Sequence, residues 1–259
     1  MRGSGILQEL RTHRRVSGPA IFFIDHYIHT TGVNFDMANP GISFVKTADS
    51  AVAANKVLKN TYLLLSATLG FSALTAMLSI VLAMPSWVYM AAVIVSMVLG
   101  MFVLPRTANS AAGIGVIFLI TGLLGFGLGA ILTMYLALPH GPQTVGLAFG
   151  GTAAIFLGLS GYALSSKRDF SFMGGFIFAG MMVVMIAVIA NIFLQMPALS
   201  LAISSVIILL MSGFILFDTS RIARGEETNY ILATYGLYLS IFNIFVSLLQ
   251  ILGIMGGDD

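Results

Sequence analysis

The sequence predicts an all-α integral membrane protein of seven transmembrane helices, with its N-terminus in the cytoplasm and its C-terminus outside. Three observations carry this. Of 259 residues, 58% are hydrophobic and only 8% charged, whereas a soluble domain carries about 25% charged residues, so this chain could not cover a water-facing surface. Its apolar residues gather into seven runs, each near the roughly 20 residues that a helix needs to cross the hydrocarbon core. Its basic residues fall in alternate loops, the asymmetry that sets orientation in a membrane.

The seven runs cover about 61–83, 86–104, 112–136, 144–164, 172–193, 198–218 and 229–254. Pro85, Pro105, Pro139, Pro142 and Pro197 all fall between runs, as expected of helix ends. Lys56 and Lys59 precede the first span, Arg106 follows the second, Lys167 and Arg168 follow the fourth, and Arg221 and Arg224 follow the sixth. The loops near Pro85, His140 and Pro197 hold no Lys or Arg. Trp87, Tyr89 and Tyr135 then fall near outer span ends, and Tyr62, Tyr162 and Tyr230 near inner ones, as in aromatic belts. The net charge of +2 and the lack of a Lys/Arg cluster give no footprint for nucleic acid. With no cysteine, disulfides, thiolate metal sites and thiol nucleophiles are excluded.

Residues 1–36 stand apart from this pattern and are expected to lack structure. They hold three of the four histidines and four of the twelve basic residues, and their apolar piece "PAIFFI" is too short for a span. One reading is a basic cytoplasmic tail. The preferred one is a leader or upstream start, with the native chain beginning at Met37. His13, His26 and His29 match no zinc-ligand spacing, so no metal is expected there. Residues 37–60 follow as a polar cytoplasmic tail, and residues 61–254 form the membrane domain.

Between lipid-embedded helices, small residues allow close approach. Gly125 and Gly129 in span 3, Gly146, Gly150, Gly158 and Gly161 in span 4, and Gly175 with Ala179 in span 5 are therefore expected at helix contacts. "GFGLGA" in span 3 lies inside an apolar run, without the strand and helix start of a phosphate cradle, so no cofactor is expected. Met181, Met182 and Met185 read as lipid-facing or gap-filling.

In span 7, Gly236, Ser240, Asn243, Ser247 and Gln250 recur at steps of four and three, one stripe of a helix. Polar side chains in hydrocarbon need partners, so the stripe faces the bundle, either as interhelical glue or as the lining of a polar cavity. In span 6, Ser204 and Asp218 share a face, with Ser205, Ser212 and Thr219 beside it. Asn191 and Gln195 end span 5, where water is expected to satisfy them.

Asp218 is the one acid from Thr61 onward that falls within or against an apolar span. The helix C-terminus and burial both disfavour its charged form. Arg221, three residues on and on the same face, favours it. Two readings stay open: a carboxyl that senses protons or ions, or an interfacial Asp paired with Arg221 and water, with Gly225 ending the helix.

The stretch "FILFDTSRIARGEETNYILATYGLYLSIFNIFVSLLQILG" resembles the C-terminal signature of the Bax inhibitor-1 family of seven-helix membrane proteins. "KVLKNTYLLLSATLGFSALTA", "ANIFLQMPALSLAIS" and "GEETNYILAT" are similar to its bacterial YccA branch, from about Lys56 to Gly253. That resemblance implies the bacterial inner membrane and modulation of FtsH, a membrane-bound ATP-dependent protease. Other family members are pH-sensitive calcium leaks, with an acid closing helix 6, as Asp218 does, and a second acid in helix 7. Here "LYLSIFNIF" puts Ser240 in that acid's place, while Asn243 matches a family Asn. One acid cannot share a proton with a Ser, and a hard cation loses half its anionic ligands.

Three functions follow. The first is a regulator that binds the protease and needs no catalytic residue; removing the tail at residues 37–58, read as an unfolded handle, should change how the protease handles the protein. The second is a cation leak for calcium or protons, lined by Asp218, Ser240, Asn243 and Ser247, with Arg221 beside them. The third, an enzyme, is disfavoured: an aspartyl mechanism needs two facing acids, and His140 lies in an outer loop, away from any membrane serine.

Overall fold

The computed structural model describes residues 40–166 and 168–256, with side-chain surroundings from residue 52 onward. The expected leader, including His13, His26 and His29, lies outside the described residues. The chain divides into two units, residues 1–48 and 49–259. In the first, the described residues 40–48 are helical; the account below concerns the second.

Among the described residues, seven helices are long and apolar enough to cross a membrane. They are α1 (Pro40–Val81), α2 (Trp87–Thr107), α3 (Ala111–Leu136), α4 (Gly141–Ser166), α5 (Met173–Leu194), α6 (Pro197–Ala223) and α7 (Tyr230–Met255). No strand occurs among the described residues. The expected all-α, seven-helix membrane fold is what the chain adopts.

Two boundaries differ from the sequence expectation. Residues 49–58, part of the 37–58 stretch read as an unfolded handle, are helical and run on into the first span. "AVAANKVLKN" holds three Ala, two Lys and a Leu with no Gly or Pro, so nothing in it stops a helix. Pro105, expected between spans, lies inside α2. A π turn at Leu99–Val103 precedes it, and the Leu104 N–H bonds back to the Leu99 carbonyl. That wider turn resets the ladder, so Pro105 falls in the first turn of the final segment, Leu104–Thr107, where its missing N–H costs little.

α3 and α7 are the most enclosed helices and α5 the least. α7 packs on α6, α4 and α3; α2 packs on α3, and α5 on α6. The half of the bundle nearer the α6–α7 connection is filled by Leu65, Ile117, Ile120, Ile222, Ile231 and Leu237. Span 3 behaves as its glycines predict. A Cβ at Gly125 would collide with the Ser72 carbonyl of α1, and one at Gly129 with the Ala76 carbonyl.

The same expectation fails for α4 and α5. A Cβ at Gly146, Gly150, Gly158, Gly161 or Gly175 would meet nothing within 4 Å, and Ala179 is exposed. The face of α4 that enters the bundle is carried instead by Thr144, Ala148, Thr152, Ser160 and Ala163. Small residues occur on both faces of this helix, so their spacing alone could not choose between them. In α5 the tight contact is made by Gly180, against Leu210 of α6.

Substitution should separate the two glycine classes. Gly125→Ala is expected to destabilise the bundle by about 1–3 kcal/mol through overpacking. Gly158→Ala should be neutral or stabilise by up to about 1 kcal/mol. Thermal loss of monodisperse protein in detergent measures both.

Candidate functional site

The site forms where α6 ends and α7 begins. α6 runs through Asp218 and Arg221 to Ala223. Gly225 then takes φ +74°, a left-handed conformation that glycine adopts without strain. The Gly225 N–H bonds to the Ile222 carbonyl at 3.1 Å and the Glu226 N–H to the Arg221 carbonyl at 2.9 Å. Four residues on, Asn229 caps α7, its Oδ1 accepting from the Ile231 and Leu232 N–H groups at 2.9 and 3.2 Å. Its Nδ2 donates to the Ala108 carbonyl at 3.0 Å and to Asn109 Oδ1 at 2.9 Å, reaching the α2–α3 loop. The Asn229 N–H in turn bonds to Glu227 Oε1 at 2.9 Å.

Between these ends lies a cleft of about 250 Å³ containing Asp218, Arg221 and Glu227, walled by Phe214, Tyr235 and Gly236 among others. Asp218 is half-buried. Its carboxylate rests against the α7 backbone, and a Cβ on Gly236 would come within 2.5 Å of Oδ2. Gly236 is thus the residue that makes room for the acid. Among the described residues Asp218 has no ion pair.

The Asp218–Arg221 pair, one of the two readings left open by the sequence, is not formed. Arg221 Nη2 stands 3.8 Å from Glu227 Oε2 and Nε 4.0 Å from Glu226 Oε2, and its guanidinium lies over the Phe217 ring at 5.3 Å. The loop folds two carboxylates back over the helix end, and they take the guanidinium. Sequence reasoning left Glu227 outside the site. The left-handed turn at Gly225, which brings it back, was its only signal.

The polar stripe of α7 divides. Ser240 Oγ donates to the Gly236 carbonyl at 3.0 Å and Asn243 Nδ2 to the Leu239 carbonyl at 2.8 Å, each within its own helix. Ser247 is buried. None of these three lines the Asp218 cleft. Gln250 does bridge helices, its Oε1 accepting from Ser204 Oγ of α6 at 2.8 Å. Asn191, expected to rely on water, bonds within the protein. Its Nδ2 donates to Ser200 Oγ at 2.7 Å and its Oδ1 accepts from the Met196 N–H at 3.2 Å, closing the turn that Gln195 makes at φ 51°.

One buried hydroxyl links three helices. The buried Tyr238 hydroxyl lies 2.7 Å from Ser72 Oγ of α1 and donates to the Thr121 carbonyl of α3 at 3.3 Å. Tyr62 and Ser160 hydroxyls pair across α1 and α4, and Ser160 reaches Thr219 of α6 at 3.4 Å. Ser and Tyr at these positions look ordinary in sequence, because hydroxyls in helices so often bond to their own backbone.

Arg224 gathers a second cluster. It meets Asp169 Oδ1 at 2.7 Å and Glu226 Oε1 at 2.8 Å. It also donates to Ser171 Oγ and Ser220 Oγ, each at 2.8 Å, and to the Arg168 carbonyl at 3.3 Å. The Ser171 N–H, then Arg224, hold the Asp169 carboxyl below its usual range. The hydrogen bond from Arg224 does the same for Glu226, and that bond also raises Arg224. Among the described residues no group of three or more His, Asp or Glu is placed to hold a metal ion.

Comparison with known proteins gives a consistent picture. The family model described as "Inhibitor of apoptosis-promoting Bax1" matches residues 54–257. A protein of Escherichia coli K12 named "Modulator of FtsH protease YccA" is 52% identical over 209 residues, covering 81% of this chain and 94% of its own length. An E. coli O6:H1 relative named "Inner membrane protein YccA" matches to the same extent. A Vibrio cholerae protein described as an uncharacterized membrane protein is 48% identical over 223 residues, covering 86% of this chain and 100% of its own length.

Two outcomes follow from the geometry. Tyr238→Phe removes a bridge between three helices and should cost about 1 kcal/mol, read as a lower unfolding midpoint in detergent. Because the Asp169 and Glu226 carboxyls sit below their unfolded values, their stabilising contribution is present at neutral pH and is lost as pH falls through the folded values. The melting temperature should therefore drop between about pH 5 and pH 3, and Arg224→Gln should flatten that limb.

Proposed function

The chain belongs to the Bax inhibitor-1 family, and from that premise we propose that it regulates a membrane-bound ATP-dependent protease of the FtsH type by binding it directly. It is a multi-pass protein of the bacterial inner membrane. The observation that carries the functional reading is the 52% identity to the modulator of FtsH protease from E. coli, across 94% of that protein. Such a role asks for a stable bundle with surfaces left free for a partner and needs no catalytic residue. The charge pattern supports cytoplasmic placement of the N-terminus and of the α2–α3, α4–α5 and α6–α7 loops, which is the side on which the segment before residue 61 would meet a cytoplasmic protease domain. Since residues 49–58 are helical, the protease would have to unwind this handle before pulling on it.

A second reading, a cation or proton leak, is favoured by one observation: Asp218 faces a cleft with no ion pair of its own. Against it, Ser240 occupies the helix-7 position where leaking relatives have their second acid, and it is spent on its own backbone.

The test is the half-life of a membrane substrate of the protease in cells lacking or overproducing this protein. Overproduction should slow decay, and Asp218→Asn should slow it equally. Unchanged decay on overproduction contradicts the proposal. The leak reading would then be tested by flux into proteoliposomes, which Asp218→Asn should abolish. For orientation, a reporter active only in the cytoplasm should be silent when fused at the C-terminus and active when fused after Lys59.

A further inference from the structure

We propose that the segment from Arg224 to Asn229 is a strap that closes the Asp218 cleft from the loop side, fastened at its Arg224 end and able to open there. This goes beyond the protease reading and does not depend on it.

The segment is tied at both ends to other loops. Asn229 holds it to the α2–α3 loop through the Ala108 carbonyl and Asn109. Arg224 holds it to the α4–α5 loop through Asp169, Ser171 and the Arg168 carbonyl. Between the ties, Glu227 lines the cleft and, with Glu226, occupies Arg221.

The two ties differ in kind. Asn229 is neutral and is also the cap of α7, so releasing it would fray that helix. The Arg224 tie to the α4–α5 loop rests on an ion pair to Asp169, whose side chain is 67% exposed, and on hydrogen bonds to Ser171 and the Arg168 carbonyl. Exposed pairs are weak and screened by salt. Gly225, at φ +74° beside the fastener, is the point about which the segment would turn.

Opening has a chemical consequence inside the cleft. With the strap closed, Arg221 is shared between Glu226 and Glu227 while Asp218 has no ion pair. With it open, both loop carboxylates withdraw, and Arg221 is free to pair with Asp218 three residues back on the same helix. The strap therefore selects the partner of Arg221. The charged and titratable groups involved are Asp218 and Arg221 from α6, Arg224, Glu226 and Glu227 from the segment itself, Asp169 from the α4–α5 loop, and Tyr235 on the α7 wall.

The absence of cysteine in the chain makes a direct test possible. Ala233 lines the cleft and is 5% exposed, so Ala233→Cys reports access to it. Ile244 is 0% exposed elsewhere on α7, and Ile244→Cys serves as the control. The rate of labelling by N-ethylmaleimide is measured on the full chain in detergent. Adding Arg224→Gln should speed labelling at Ala233→Cys about two- to fivefold, the scale of one exposed ion pair, and leave Ile244→Cys unchanged. Arg224→Lys should fall between, because an ammonium cannot serve all the acceptors of a planar fork. Equal labelling of Ala233→Cys with and without Arg224 overturns the proposal. If Arg224→Gln loosens both positions, a salt series on the chain with Arg224 intact decides. A salt-dependent rise confined to Ala233→Cys supports the strap, and none overturns it.

Discussion

The bundle is organised around the approach of α3 to α1, where Gly125 and Gly129 lie against the carbonyls of Ser72 and Ala76. Hydrocarbon supplies no hydrophobic force between helices, so contact must come from close packing and from polar groups that find each other. The glycines bring two backbones near enough for the Tyr238 hydroxyl of α7 to touch Ser72 of α1 and the Thr121 carbonyl of α3. A larger residue at either glycine would push α1 outward and leave a buried hydroxyl short of its partners, which costs more than the bond is worth when formed.

The position of the site follows from that centre. With α7 seated by Tyr238, Gly236 one half-turn earlier faces α6 and leaves room for the Asp218 carboxylate. α6 then stops at a left-handed glycine, and the chain needs only the segment from Arg224 to Asn229 to reach the cap of α7. That short connection carries Glu226 and Glu227, so both fall back over the helix they have just left. The half-buried acid is thus left without a cation while its natural partner, Arg221, is held by the loop. An arrangement of this kind is set by the backbone first and by charge second.

Much of the fold was legible because a membrane imposes a length and a hydropathy on each helix. The seven runs, the glycines of α3 and the helix-ending role of Gly225 could all be read from spacing. Pro105 misled because a π turn at Leu99–Val103 absorbs it, and a π turn has no composition signature. The glycines of α4 misled because small residues lie on both its faces. At the site, Asp218 and Arg221 stood out as charges beside an apolar run. Their separation, and the entry of Glu227, depend on where a six-residue loop folds, which local pattern does not encode. Tyr238 and Ser72 are far apart in sequence and ordinary in type, so their bond could only be seen in three dimensions.

The function proposed for this member of the family is that of a regulator acting through contact with a membrane-bound protease. The most direct measurement is the degradation of a membrane substrate by purified FtsH in liposomes, with ATP, in the presence or absence of this chain. The account predicts slower degradation as the chain is added, with an Asp218→Asn chain acting as well as the unaltered one. Degradation at the same rate with and without the chain would contradict it.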